Sequence, residues 1–299
     1  MRILFVINPV AGGTDKSDLA ELIRDMAGPL NFEYRIYYTT GNKDFERLKY
    51  LADTEKPDTL VACGGDGTVT LAARTILNTN IALSIIPIGS ANGLAGELNI
   101  PRDSAAAITL AATGRSRSVD TVLINNKFLG LHLADVGMNA VIVRRYKVGH
   151  MRGFWAYTKQ LLRELIYLRS HRYTVVFPGT RKTVKAVMIA VCNSRKYGNG
   201  AVVNPPGRIN DGLFEVCIFK KLSHLSLPAI IWHFFRGTLQ FSHFAEIIST
   251  ESVQIINPKK RPVQVDGEFI GRPGIVDAVI LHKSLLLIVP EGGGAGLFI

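Results

Sequence analysis

The sequence predicts two domains of different class: a doubly wound α/β domain over residues 1–117 and a mainly antiparallel β-sandwich domain over residues 118–284, with 285–299 available to complete the first. Two observations carry this. In the first part, short continuously apolar runs alternate with helical patterns, the signature of a parallel sheet covered on both faces. From about Ser118 short strands follow one another through Asn-Asn, Pro-Gly and Asp-Gly turns. The length, 299 residues with 47% hydrophobic content, is enough for two buried cores.

Taken in order, Ile3 to Ile7 reads as a buried strand and Ser17 to Met26 as a helix with Ser17 as its cap. Glu33 to Tyr38 is the next strand, then a helix from Asp44 to Ala52. Thr59 to Cys63 is a strand, and Val69 to Leu77 a helix. Ala82 to Ile86 is the fourth strand, followed by a helix over Ser104 to Ala112. In the second part the expected strands are Val119 to Ile124, Phe128 to Leu133, Tyr173 to Phe177, Ala186 to Cys192, Leu213 to Phe219, Val253 to Asn257, Val263 to Val265 and Val276 to Leu281. Helices are expected over Phe154 to Ser170 and Pro228 to Gly237, and the run Leu285 to Val289 can return to either domain.

A formal net charge of +11 and a pI near 9.7 point to an anionic partner. The basic residues are scattered and form no long tail, which argues against nucleic acid. Cys63, Cys192 and Cys217 each lie in an aliphatic run with no CxxC pair, so they read as core thiols and exclude a disulfide framework or zinc site. No window reaches the roughly 18 uninterrupted apolar residues of a membrane span. The nearest, Leu222 to Phe241, is broken by His224, Pro228, His233 and Arg236; it fits a core helix or, through Trp232, Phe234, Phe235 and Phe241 beside cations, an interfacial segment. A cytoplasmic chain is expected, with peripheral and transient attachment to an anionic membrane. The oligomeric state stays open, a homodimer being one option.

The strongest local signal is Gly64-Gly65-Asp66-Gly67-Thr68 between a strand and a helix. Glycines there let backbone N–H groups approach an anion, and the helix N-terminus adds its dipole. A bare strand-to-helix turn capped by Asp66 is the alternative. Asn8-Pro9-Val10-Ala11-Gly12-Gly13 follows the first strand, and Pro87-Ile88-Gly89-Ser90-Ala91-Asn92-Gly93-Leu94-Ala95 follows the fourth. Ligands of doubly wound sheets sit at the carboxyl ends of the strands. Three polar, glycine-bearing loops on one edge supply what a nucleotide needs: backbone donors for phosphates, and Asn8, Ser90 and Asn92 side chains for base or ribose. The chain lacks GxxxxGK[ST], GxGxxG opening a helix, HExxH and GxSxG, which removes the common nucleotide, zinc-protease and serine-hydrolase readings.

These three loops, with Asn210-Asp211-Gly212-Leu213-Phe214-Glu215-Val216 and Val265-Asp266-Gly267-Glu268 further on, resemble in the same order the motifs of the diacylglycerol kinase catalytic domain family, which includes sphingosine and ceramide kinases. The likeness covers nearly the whole chain; GGDGT alone is shared with NAD kinases and phosphofructokinases, whose N-terminal fold the family resembles. It implies two lobes with ATP in the cleft between them. Asn8, Pro9, Gly12, Gly13, Thr40, Gly64, Gly65, Asp66, Gly67, Thr68, Gly89, Ser90, Asn92 and Arg152 would then contact the nucleotide. Asp66, or Asp266 with Glu268, would be the catalytic base. A structural Mg²⁺ would bind Asp211 and the backbone carbonyls of Arg208 and Leu213. Arg152 closes a basic stretch, Arg144 to Arg152, similar to one that touches ATP phosphates in sphingosine kinases.

Two departures bear on the acceptor. Asn92-Gly93 stands where bacterial diacylglycerol kinases usually have Asn-Asp. Leu133-Ala134-Asp135-Val136 resembles a sphingosine kinase stretch, but Gly137 replaces the aspartate that engages the sphingoid head group, which leaves Asp135 as its substitute. The expected activity is ATP- and Mg²⁺-dependent phosphorylation of a hydroxyl on diacylglycerol, a sphingoid base or a related lipid. A soluble-substrate kinase of NAD kinase type and a non-catalytic lipid-binding regulator on the same fold are the rivals.

Overall fold

The computed structural model describes residues 1–13, 17–90, 92–137, 169–197, 201–220, 229, 232–233, 236–294 and 296–298. The chain divides into two compact units, Met1–Val119 with Lys283–Phe298, and Asp120–His282.

The first unit begins with β1 (Arg2–Ile7), α1 (Ser17–Ala27), β2 (Glu33–Tyr38), α2 (Asp44–Glu55), β3 (Thr59–Gly64), α3 (Asp66–Ile76), β4 (Ala82–Pro87), α4 (Gly93–Glu97) and α5 (Ser104–Thr113). Its strands are parallel in the order β2-β1-β3-β4, with Ile7 beside both Tyr38 and Cys63, and Gly64 beside Pro87. The carboxyl ends of all four strands are therefore level. Every residue of β3 and β4 is buried, because helices cover both faces. Ile3, Phe5, Ile7, Val61, Cys63 and Ile86 on one face pack with Leu19 and Ile23 of α1 and with Ala107, Ile108 and Ala111 of α5. The alternate residues Leu4, Val6, Leu60 and Ala62 are equally buried and project from the other face, on the side of the mutually packed α2 and α3. The sequence placed the start of α3 three residues late, since Asp66-Gly67-Thr68 are its first turn rather than loop.

The second unit is made of β5 (Arg115–Ile124), which enters it from the first, then β6 (Phe128–Gly130), β7 (Leu133–Gly137), β8 (His171–Phe177), β9 (Thr180–Cys192), β10 (Lys196–Tyr197), β11 (Ala201–Val202), β12 (Phe214–Lys220), β13 (Ala245–Thr250), β14 (Ser252–Ile256), β15 (Val263–Val265) and β16 (Glu268–Gly271). Pairing here is antiparallel, with β9 the hub for β7, β8 and β12. The last strand, β17 (Ile275–Val289), pairs antiparallel with β14 through Ile275–Val279 and parallel with β4 through Leu286 and Leu287. Its C-terminal part thus completes the first unit's sheet, and Lys283, with φ of 49°, marks the point of passage.

The expected strand Phe128 to Leu133 is two, β6 and β7, because backbone N–H groups at 131–133 turn to a side chain instead of a ladder. β13 and β16 were not expected. All three cysteines are free and buried. The helix expected over 154–170 lies outside the described residues apart from its last two positions, as does most of 221–235.

Candidate functional site

At the strand-end edge of the first unit the loops after β1, β3 and β4 interlock. The Asn8 side chain donates from Nδ2 to the Thr68 hydroxyl at 3.3 Å, while its Oδ1 accepts from Val10 N–H at 3.1 Å. The Asn8 N–H in turn donates to the Cys63 carbonyl at 3.0 Å. The Asp66 carboxylate, at the first turn of α3, accepts from Gly93 N–H at 2.8 Å and so joins the second and third loops. Glycine is required where the loops touch: a methyl on Gly89 would fall 2.3 Å from the Gly65 Cα, and one on Gly64 would fall 2.2 Å from the Thr68 hydroxyl oxygen. Asn92, expected to meet base or ribose, has its amide spent inside its own loop, accepting from Gly89 N–H and donating to the Gly89 and Pro87 carbonyls. Pro9, Gly12, Gly67 and Ser90 are exposed, and Gly65 and Asp66 half-buried. Gly12 has φ of 65° in the short turn Ala11–Gly13.

Thr40 follows β2 and is exposed on the same edge. Its loop is shaped by Asp44, which the sequence reading did not single out. The Asp44 carboxylate accepts from Tyr37 Oη at 2.7 Å, Thr40 N at 2.9 Å, Thr40 Oγ1 at 3.1 Å and Gly41 N at 2.7 Å. Burial works to raise its pKa, but these donors outweigh it and hold the carboxyl below its ordinary 3.8. Arg47 Nη1 lies 3.4 Å from the same threonine hydroxyl. The signal available in the sequence was an acidic residue one turn past a Thr-Gly pair at a helix start.

In the second unit the candidate acids have different surroundings. Asp266, φ 45°, accepts from Leu131 N at 2.7 Å, His132 N at 3.0 Å and Leu133 N at 2.9 Å. Burial pushes its carboxyl up, while His132 and the three N–H groups pull the other way. Glu268 is exposed at the start of β16. Asp135 is only 1% exposed and receives the Gln264 side-chain amide. Asp211 is half-buried and caps its own turn through Leu213 N at 3.0 Å; Arg208 is exposed and Leu213 half-buried. That turn is fastened by Asp120, whose Oδ2 takes Gly212 N–H at 2.7 Å and whose Oδ1 stands 2.9 Å from His282 Nδ1. Asp120 was missed although a lone carboxylate inside Val119 to Ile124 is a visible anomaly.

Residues 2–124 match the model of the diacylglycerol kinase catalytic domain, and residues 133–288, more than half of the chain, match the YegS C-terminal NAD kinase beta sandwich-like domain. The chain belongs to this YegS-like, diacylglycerol-kinase-like lipid kinase family. Among relatives, a chain from Pectobacterium atrosepticum named "Probable lipid kinase YegS-like" is 26% identical over 273 residues, 89% of this chain and 88% of that one. One of the same name from Klebsiella pneumoniae is 30% identical over 54% of this chain and 56% of its own. The solved structure of a diacylglycerol kinase from Bacillus anthracis covers 98% of both chains with a TM-score of 0.75 at 19% identity, a likeness of fold.

The first unit thus brings the loops after β1, β3 and β4 together at one edge, whereas Arg152 and the basic stretch from Arg144 lie outside the described residues. Among the described residues no three His, Cys, Asp or Glu side chains gather as a metal cluster. No described helix is long and apolar enough to cross a membrane.

Proposed function

We propose that this chain transfers the terminal phosphoryl group of ATP to the hydroxyl of a lipid, with a neutral diacylglycerol-type acceptor favoured over a sphingoid base. The observation that carries this is the interlocking of the loops after β1, β3 and β4 at one sheet edge, glycine against glycine, with Asp66 among them. The backbone of Gly64–Thr68 and the N-terminus of α3 would hold the phosphates, and Thr40 would meet the nucleotide from the neighbouring strand end. In the reaction the bond from the terminal phosphorus to the bridging oxygen breaks and one to the lipid oxygen forms. ADP leaves, and the hydroxyl proton passes to a carboxylate. We assign that role to Asp66, the acid that sits among the phosphate-facing glycines. Asp266, tied by three backbone donors, is read as a positioning residue for the 131–133 turn, and Glu268 as an exposed acid near the acceptor.

Asp211 and the carbonyls of Arg208 and Leu213 are hard oxygen donors of the kind Mg²⁺ takes. With one carboxylate in that set, water would complete the shell. Bound Mg²⁺ would rigidify the turn that Asp120 fastens. The neutral acceptor is favoured because Asp135 is buried and bound by Gln264, and Gly137 offers no carboxylate for an amine.

Incubation with γ-labelled ATP, Mg²⁺ and, separately, dioctanoylglycerol, sphingosine and NAD tests the reading. Label in the glycerolipid is expected. Label in sphingosine alone would overturn the acceptor assignment, label in NAD alone would replace the lipid by a soluble substrate, and no transfer to any acceptor would end the enzymatic reading.

A further inference from the structure

Of the large apolar side chains described in the second unit, the two most exposed fall in one short segment: Phe241 at 81% and Trp232 at 59%. They are not loosely hung. Between and beyond them, Leu239 is fully buried and Phe244 nearly so, both in the apolar cluster with Val187, Met188, Val203 and Phe219. The His233 ring packs against Phe244 at 6.0 Å and accepts or donates to Thr238 Oγ1 at 2.8 Å, and the His243 ring packs against Phe244 from 4.0 Å. Trp232 and Phe241 thus fall in one stretch, 232–244, that Leu239 and Phe244 anchor in the second unit. The Arg236 guanidinium lies over the Trp232 ring at 4.6 Å.

We infer that Trp232 and Phe241 form an interfacial wedge that docks the second unit on an anionic bilayer. Aromatic rings with a polar or cationic neighbour are the side chains that settle at the headgroup level. Leaving two of them in water, while Leu239 and Phe244 a few residues away are buried, has no benefit to the fold. Charge complementarity selects the occupant: the Arg236 guanidinium sits on the tryptophan, and the chain carries a net +11. An anionic surface attracts each such cation within a Debye length. The proposal extends the lipid kinase reading, because an enzyme with an acceptor embedded in a bilayer must reach it there, but its test does not depend on turnover.

The full chain is sedimented, without ATP, with vesicles of phosphatidylcholine alone and of phosphatidylcholine with phosphatidylglycerol, at low and high salt. Binding to the anionic vesicles that weakens with salt is expected. In Trp232→Ala/Phe241→Ala it should fall by at least about tenfold, as loss of two interfacial rings implies, with an unchanged melting transition because both side chains are exposed. Arg236→Gln should lower binding to anionic vesicles and leave the residual binding to neutral ones. As an independent readout, Trp232 emission in a Trp155→Phe background should shift to the blue on adding anionic vesicles. Binding unaffected by the double substitution, or no binding by the unaltered chain, overturns the proposal. So does equal binding to neutral vesicles. A self-association abolished by the double substitution, with no vesicle binding, would assign the surface to a second copy instead. Activity on monomeric dioctanoylglycerol should survive the double substitution; its absence in the unaltered chain would sink the kinase reading and leave the docking result standing.

Discussion

In the first unit a single carboxylate, Asp44, gathers four donors and shapes a loop whose threonine stays at the surface. In the second unit Asp120, Asp135, Glu215 and Asp266 are each bound by partners distant in the chain: Gly212 and His282, Gln264, Asn204 with Ser249, and the 131–133 backbone. The α/β unit builds its candidate phosphate site from backbone N–H groups and glycine contacts. The β-rich unit uses acids as staples between strands and turns far apart in the chain. On the proposed reading Asp66 is the chemical carboxylate and Asp266, bound by three backbone donors, an architectural one.

The largest effect expected is for Asp66→Asn, which should lower kcat by about 10²–10⁴-fold, the usual loss of a proton acceptor. Nucleotide binding and melting temperature should stay close to the parent. If turnover survives while Asp266→Asn abolishes it with the fold intact, the chemical and architectural roles are reversed.

Next comes Gly89→Ala, whose methyl would strike the Gly65 backbone. Misplacement of the loops should cost about 10²-fold in kcat/KM and about 1–3 kcal/mol of stability. Gly96→Ala, where a methyl meets nothing within 4 Å, is the control and should keep full activity.

Asp44→Asn near neutrality, and Asp266→Asn at acid pH, should each cost about 1–3 kcal/mol, since an amide cannot satisfy all the donors, and the two depend on pH in opposite ways. Asp44 has a lowered folded pKa: its contribution is full above 3.8 and disappears as pH falls through the folded value, so the gap to Asp44→Asn should close on acidification. Asp266 has a raised folded pKa: its contribution is full below 3.8 and is lost as pH rises through the folded value, so the gap to Asp266→Asn should narrow towards neutrality. Urea unfolding from about pH 3 to pH 7 reads both; parallel slopes would erase the distinction. Kinetically, Asp44→Asn should raise KM for ATP with kcat nearly kept, and Asp44→Glu should restore part of it.

The smallest effect is expected for His282→Gln. The ring is 48% exposed, and its pair with Asp120 should be worth no more than about 1 kcal/mol, whereas Asp120→Ala should be far costlier by freeing the 209–213 turn.

Much of the architecture was readable from residues alone. Apolar runs without alternation gave the parallel sheet, and Gly64 to Thr68 marked the turn from β3 into α3, because both are local signals with one physical cause each. β13 escaped notice because each of its faces mixes an isoleucine with a polar residue, Glu246 on one and Ser249 on the other, and β16 because Asp-Gly reads as a turn and hides the strand that follows. The hydrogen-bond partners of Asn92, Asp135 and Asp266 were not legible either, because they include donors up to 135 positions away.

The sequence by itself determined the two fold classes, their order along the chain and the family, since periodicity and motif spacing are properties of the string. Only the tertiary structure decided that β17 closes the first unit's sheet, that Gly89 must meet Gly65 without a side chain between them, and which acids are already satisfied. Those are facts of packing and desolvation, which arise when distant segments compete for the same buried space.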